Sequence, residues 1–253
     1  MKIAFRASPR PGAQGALHEL SSRYGQTPAA EADFIVTLGG DGTALEALHE
    51  ALAMPAKPVF AMRTDGSVGS FCNSFRTHDL TERLHAASRV QLPVLQAEID
   101  QAGGRSRELF AINEIVLERQ VFQQAKLSVA VRGNGDPMNI NGDGLVLTTP
   151  IGSTAYNRTL GGPLLPLGSS LMALTGKAIG RPAVWSPVVL SDHAILDVEV
   201  IAAAHRPVQT ATTSETVLNI SRARLFRSPD RTVTLLVDRE AQGRLCTPFG
   251  RQC

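Results

Sequence analysis

Phe34-Ile35-Val36-Thr37-Leu38-Gly39-Gly40-Asp41-Gly42-Thr43 is the stretch that sets the reading of this chain. Five residues of strand-forming type empty into a glycine-rich turn, and the apolar spacing beyond it predicts a helix over residues 43–53. Such a turn handles phosphate. Without Cβ atoms in the way, backbone N–H groups can approach anionic oxygens, and the helix that follows adds its positive N-terminal end. Gly39, Gly40, Gly42 and Thr43 are therefore the candidate phosphate-binding residues. Asp41 stands where a carboxylate could take the proton of a substrate hydroxyl or help to hold a metal ion. The same turn also reads as a plain strand-to-helix connection with Asp41 as the helix N-cap.

Outward from this turn the first third of the chain alternates. Residues 2–7 read as strand, 13–24 as helix, 34–38 as strand, 43–53 as helix and 58–62 as strand, with a further helix over 78–87. A βαβαβ order implies a parallel sheet covered by helices, with ligands at the carboxyl ends of its strands. Near residue 90 the period changes to two. Leu95, Ala97 and Ile99 alternate with Gln96, Glu98 and Asp100; Leu127, Val129 and Val131 alternate likewise, as do Leu196, Val198 and Val200. Gly103-Gly104 and Asn134-Gly135 read as hairpin turns, and residues 232–237 as a late strand. The expected fold is an α/β domain over residues 1–90 carrying the glycine-rich turn, a mainly β domain over 91–240, and a tail, 241–253, that returns to the first domain.

With 253 residues, 43% of them hydrophobic, the chain can bury a substantial core. A net charge of +2 with scattered basic residues gives no reason to expect nucleic acid as a partner. No apolar run is long enough to cross a bilayer, so no membrane partner is expected. Cys72, Cys246 and Cys253 form neither a ligand spacing nor an even disulfide set, Arg6 and Arg10 interrupt the early apolar residues, and a cytoplasmic setting is expected. The six histidines show no metal-ligand pattern, and no metal-binding residue is assigned.

A second motif sits downstream: Asn141-Gly142-Asp143-Gly144-Leu145-Val146-Leu147-Thr148-Thr149-Pro150-Ile151-Gly152-Ser153-Thr154-Ala155-Tyr156-Asn157. It is an apolar strand that breaks at Pro150 into a turn of small residues. Thr154 and Ala155 offer backbone and hydroxyl groups, and Tyr156 a flat ring with a polar tip, all suited to a dinucleotide. Alternatively, Ser153 or Thr154 caps a helix and Tyr156 packs inward. Asn113-Glu114 interrupts the strand-like segment 108–117 with two polar side chains, one of which a strand would turn outward in any case.

Together, GGDGT at 39–43, Asn113-Glu114 and TPIGSTAYN at 149–157 closely resemble the NAD kinase family in its short bacterial form. Gly-Gly-Asp turns are shared with phosphofructokinases and lipid kinases; the second motif is the specific one. The resemblance covers most of the chain. It implies a two-domain fold with a sandwich-like second domain, and a homodimer or homotetramer that completes its sites across subunits. The activity implied is ATP-dependent phosphorylation of the adenosine ribose 2′-hydroxyl of NAD to give NADP, with Mg²⁺ or another divalent cation accompanying ATP. Asp41 would be the catalytic base and, with Gly42, would contact NAD. Asn113, Glu114, Asp143, Thr154, Ala155, Tyr156, Asn157, Arg158 and Thr159 complete the implied NAD-binding set, Thr159 standing where relatives often carry Ser.

Two departures from the family pattern stand out. The loop Arg63-Thr64-Asp65-Gly66-Ser67-Val68-Gly69-Ser70-Phe71 lacks the usual Asn before its first Gly and carries Phe one residue late, leaving Phe71 as the candidate for adenine packing or a core side chain. No Asp-Gly-Gln stands near Thr213-Ser214-Glu215. Two other functions stay open at this point: an NAD(P)-binding regulator without catalysis, and a lipid or sugar kinase sharing the Gly-Gly-Asp turn.

Overall fold

Backbone contacts divide the computed structural model into two units, and the structure describes residues 1–54, 57–64, 66, 69–213 and 215–238. Unit 1 comprises Met1–Leu92, Pro166–Gly168 and the chain from Arg231; unit 2 comprises Pro93–Leu165 and Ser169–Asp230.

In unit 1, β1 (Ile3–Ala7), β2 (Phe34–Gly39) and β3 (Val59–Arg63) pair in parallel, in that order. All six residues of β2 are buried, as a parallel strand covered on both faces requires. The helix α1 (Pro11–Tyr24) starts on a proline whose fixed φ suits the first helical position, and it turns Ala13, Ala16 and Leu20 inward. Next, α2 (Asp41–Leu52) packs Ala44, Leu45, Ala47, Leu48 and Ala51 against β2 and β3. The short β4 (Asn73–Ser74) joins β3, and α3 (Leu80–Ala86) closes the unit. Ile3, Phe5, Leu20, Val36, Leu38, Phe60, Met62, Leu80 and Leu236 share its core.

Unit 2 is almost entirely β. Its strands are β5 (Ser88–Gln101), which begins in unit 1, β6 (Ser106–Ala111), β7 (Glu114–Arg119), β8 (Ala125–Val131), β9 (Asn134–Gly142) and β10 (Gly144–Thr148). After the one-turn α4 (Tyr156–Thr159) come β11 (Leu171–Lys177), β12 (Val188–Ser191), β13 (Leu196–Val200), β14 (Val208–Ala211) and the long β15 (Thr216–Val237). Antiparallel pairing runs β12, β11, β10, β7, β14, β15, and β13 links β15 to β8 and so to β9. The alternating residues Leu95, Ala97 and Ile99, Leu127 and Val129, and Leu196, Val198 and Val200 all lie in one core.

The structure moves two expected features. The tight turn expected at Asn134-Gly135 is two residues earlier: Val131 pairs with Asn134, so Arg132-Gly133 form the turn, with Gly133 at φ 78°, and Asn134 opens β9. The mainly β domain was carried to residue 240 in the sequence reading, but the chain rejoins unit 1 at Arg231. There Leu235 and Leu236 pair in parallel with Val59 and Phe60, which commits the end of β15 to the first sheet. The tail 241–253, with Cys246 and Cys253, and loop residues Asp65, Ser67 and Val68 lie outside the described residues.

Candidate active site

At the carboxyl end of β2 the chain passes from Gly39 into α2, and the helix begins at Asp41 with Gly40 in the N-cap position. No side chain caps α2, so the N-cap reading of Asp41 falls. Its carboxylate turns instead to the segment before β4. Asp41 Oδ2 accepts the Ser70 N–H at 2.7 Å, and Oδ1 accepts the Phe71 N–H at 3.3 Å and the Cys72 thiol at 3.4 Å. Burial raises the Asp41 pKa above the ordinary carboxylate value, against the opposing pull of the Ser70 and Phe71 N–H groups. α2 opens with Asp41, Gly42 and Thr43, the first turn, whose N–H groups an α-helix leaves without intrahelical acceptors. Phe71 is only 6% exposed, which supports the core reading of its ring over adenine packing.

Unit 2 carries the second constellation. Asn113 falls in the break between β6 and β7, and Glu114 is the first residue of β7, opposite Thr148 of β10. The Asn113 carbonyl accepts the Thr149 N–H at 2.9 Å, and the hydroxyls of Thr148 and Thr149 donate to it at 3.2 Å each. These bonds bring the Pro150 turn onto Asn113-Glu114. Gly152 makes the approach possible, because a Cβ there would lie 2.4 Å from the Asn113 carbonyl oxygen. What results is a pair of buried acceptors with no partner among the described residues, Asn113 Oδ1 and Glu114 Oε2. Burial pushes the Glu114 pKa up to about 7.

Within the turn, Ser153 is fully buried and donates to the Pro150 carbonyl at 2.7 Å while accepting the Leu165 N–H at 3.0 Å. It braces the loop and caps nothing. Asn157 does the same: it is fully buried, its Oδ1 accepts the Thr175 hydroxyl at 2.6 Å, and its Nδ2 donates to the carbonyls of Ser153 and Pro163. With every polar atom engaged inward, Asn157 is a brace and not an open contact. Thr154, Arg158 and Thr159 are exposed, and Ala155 and Tyr156 half-buried.

Asp143 lies in a separate cluster that sequence reasoning missed. Its carboxylate accepts Arg119 Nε at 2.6 Å, and its N–H donates to the Lys177 carbonyl at 2.8 Å. Lys177 is ion-paired with Glu118 and stands 5.6 Å above the Tyr156 ring. Its hydrogen bond holds the Glu118 carboxyl below its usual range. Residues 118–122 with Asp143 and Lys177 line a cleft of about 400 Å³, at whose edge the Phe122 ring is 94% exposed. The link from Asp143 to Tyr156 runs through Lys177. No local pattern signals it, since Glu118, Asp143 and Lys177 come from three strand ends.

No protein-family model matches the chain. Curated relatives do. The NAD kinase of Hyphomonas neptunium is 41% identical over 238 residues, covering 94% of this chain and 92% of the relative. The NAD kinase of Xylella fastidiosa is 39% identical over 239 residues, covering 94% and 91%, and that of Rhizobium meliloti 38% identical over 236, covering 93% and 91%. Two solved structures share the fold. Yeast NADH kinase complexed with NADH superposes with a TM-score of 0.81 at 16% identity, covering 96% of this chain and 84% of that one. An NAD kinase from Archaeoglobus fulgidus in complex with ATP gives 0.76 at 19% identity, covering 97% of both. Identity of about two residues in five, sustained over more than nine-tenths of each bacterial relative, shows that this chain belongs to the NAD kinase family.

Proposed function

We propose that the chain transfers the terminal phosphoryl group of ATP to the 2′-hydroxyl of the adenosine ribose of NAD, giving NADP and ADP. The observation that carries this reading within the family is the pair of orphaned acceptors, Asn113 Oδ1 and Glu114 Oε2. Buried acceptors without partners are costly, and a ligand presenting hydroxyls, such as a ribose, supplies the missing donors. Thr154, Ala155, Tyr156 and Asp143 add contacts on the dinucleotide, with Asn157 holding their turn in shape. In unit 1 the Gly39–Thr43 turn cradles donor phosphates. Asp41 accepts the proton of the 2′-hydroxyl as its oxygen bonds to the terminal phosphorus and the bond to the leaving ADP oxygen breaks.

Among the described residues no group of three or more His, Cys, Asp or Glu could hold a metal ion. A divalent cation enters this reading with ATP, where it offsets phosphate charge. A homodimer or homotetramer and a cytoplasmic setting belong to the same proposal; size-exclusion chromatography with light scattering reads the first. Among the described residues, no helix is long and apolar enough to cross a membrane.

One observation favours a second reading, an NAD-binding regulator. Donors from Ser70, Phe71 and Cys72 already occupy the Asp41 carboxylate. Incubating the full chain with NAD, ATP and Mg²⁺ separates the two. The kinase forms NADP, and Asp41→Asn lowers kcat by roughly 10²- to 10⁴-fold while the fold persists. NAD binding without turnover, or normal turnover by folded Asp41→Asn, overturns the assignment.

A further inference from the structure

Across β14, β7, β10 and β11, Gln209 stands opposite Glu118, Glu118 opposite Gly144, and Gly144 opposite Lys177. Residues directly opposite one another in an antiparallel sheet share a face, so these four form a row. Side chains on alternate strands start roughly 10 Å apart, with a third side chain normally between them. Gly144 leaves that lane open, and Glu118 and Lys177 meet across it as an ion pair. Glu118 divides its oxygens: Oε2 accepts from Lys177, and Oε1 accepts Gln209 Nε2 at 2.8 Å. At the end of the row the Lys177 ammonium stands 5.6 Å from the centre of the Tyr156 ring. We infer that Lys177 is a positioning residue for the acceptor: anchored by Glu118, its charge holds the Tyr156 ring where that ring meets NAD. This rests on the proposed contact between Tyr156 and NAD.

The ring needs a hold from outside its own segment. α4 is four residues long and carries no side-chain cap, and so short a helix does not fix its own side chains. Ser153 and Asn157 brace the turn, but their hydrogen bonds go to Pro150, Leu165, Pro163, Thr175 and the Ser153 carbonyl, none of them to the Tyr156 side chain. Desolvation, the largest single influence on Lys177, pulls its pKa down, yet Glu118 and Tyr156 together outweigh it and hold the amine above the usual lysine value. The charge at the ring therefore persists throughout the working range. Arg119 and Asp143, the other charged residues lining this cleft, are paired with each other and do not compete for it.

Calorimetric titration with NAD and steady-state kinetics with NAD, ATP and Mg²⁺ test the assignment on the full chain, using Lys177→Met, Lys177→Arg, Tyr156→Ala and the Lys177→Met/Tyr156→Ala pair. Lys177→Met keeps the apolar stem and removes the charge. It should weaken NAD binding and raise KM for NAD by roughly threefold to tenfold, with a smaller change in kcat and KM for ATP as in the wild type. Lys177→Arg, which keeps a cation able to pair with Glu118 and to lie against the ring, should recover most of the affinity. Because Lys177 acts through the ring, the pair should bind NAD no more weakly than Tyr156→Ala alone. Wild-type NAD affinity in Lys177→Met, a Lys177→Arg protein as weak as Lys177→Met, or additive losses in the pair, which would mark a separate contact of Lys177 with NAD, each overturn the inference. Should Lys177→Met fold poorly, Glu118→Gln, which releases the lysine, takes its place in the same cycle with Tyr156→Ala. A weakened Tyr156→Ala beside a wild-type Lys177→Met removes only this positioning role, whereas a Tyr156→Ala protein that binds NAD normally removes the Tyr156 contact and this inference with it.

Discussion

Glu114 shows how one residue can carry both a cost to the fold and a use in the site. Its carboxyl is buried, with Oε2 unpartnered and a pKa pushed up to about 7 from the ordinary 4.5. The folded chain therefore binds a proton that the unfolded chain releases between those values, and stability contributed by this group is complete below about pH 4.5 and lost as pH rises through about 7. Glu114→Gln removes the titration. Thermal unfolding of both proteins from pH 4 to 8 should show the wild type losing ground to the variant across that window, by on the order of 2–3 kcal/mol, and running parallel to it above. A constant difference over the whole range would mean that Glu114 titrates normally. The same step has a functional reading: ribose hydroxyls bonding to the ionised carboxylate would lower its pKa again, so NAD binding should release a proton in the wild type and none in Glu114→Gln.

Among the elements, the Pro150 turn matters because it reaches Asn113-Glu114, and that reach depends on Gly152. Gly152→Ala would place a Cβ 2.4 Å from the Asn113 carbonyl oxygen and 2.6 Å from Thr148 Oγ1. Backbone must give way, at a cost of about 1–3 kcal/mol for an overpacked site, and Asn113 and Glu114 move with it. Stability should fall, and KM for NAD should rise by a larger factor than KM for ATP. A variant that is destabilised yet keeps the wild-type KM for NAD would detach the turn from the acceptor site. The turn itself was legible in the sequence because Pro150 and the run of small residues are local signals, as were the strand entering Gly39 and the two-residue period around Leu95, Ala97 and Ile99. What Gly152 faces was not legible. Asn113 precedes β7, the strand paired with β10, and nothing within a few residues of either position encodes their meeting. Lys177 and Arg119 escaped notice for the same reason, being ordinary surface-type charges until β7, β10 and β11 pair and bring Glu118, Asp143 and Lys177 together.

Taken over the whole molecule, the chain leaves unit 1 after Leu92, contributes Pro166–Gly168 to it, and returns at Arg231 within one uninterrupted strand. From sequence, residues 232–237 read only as a late strand, which does not say which sheet they join. The deciding contacts lie far apart along the chain. Leu235 and Leu236 pair with Val59 and Phe60, and Asp238 meets Arg83 of α3 at 2.6 Å, with side chains only 12% and 7% exposed. Arg83 also donates to the Ser74 carbonyl at 2.8 Å and lies 5.1 Å over the Phe60 ring, so a single guanidinium gathers α3, β3, β4 and the returning strand. A buried ion pair is asymmetric in its energetics: removing one partner strands the other charge, whereas replacing both with apolar groups of similar volume is close to neutral. Asp238→Asn should therefore destabilise the chain by about 3–5 kcal/mol, while Arg83→Met combined with Asp238→Leu should cost less than Asp238→Asn alone despite changing two residues. Urea unfolding of the three proteins reads this directly. If the double variant is the less stable one, or if Asp238→Asn unfolds at the wild-type midpoint, the pair is not what holds the returning strand in unit 1, and the parallel pairing of Leu235 and Leu236 with β3, with the Asn73 amide bonded to Leu236 and Asp238, does so instead.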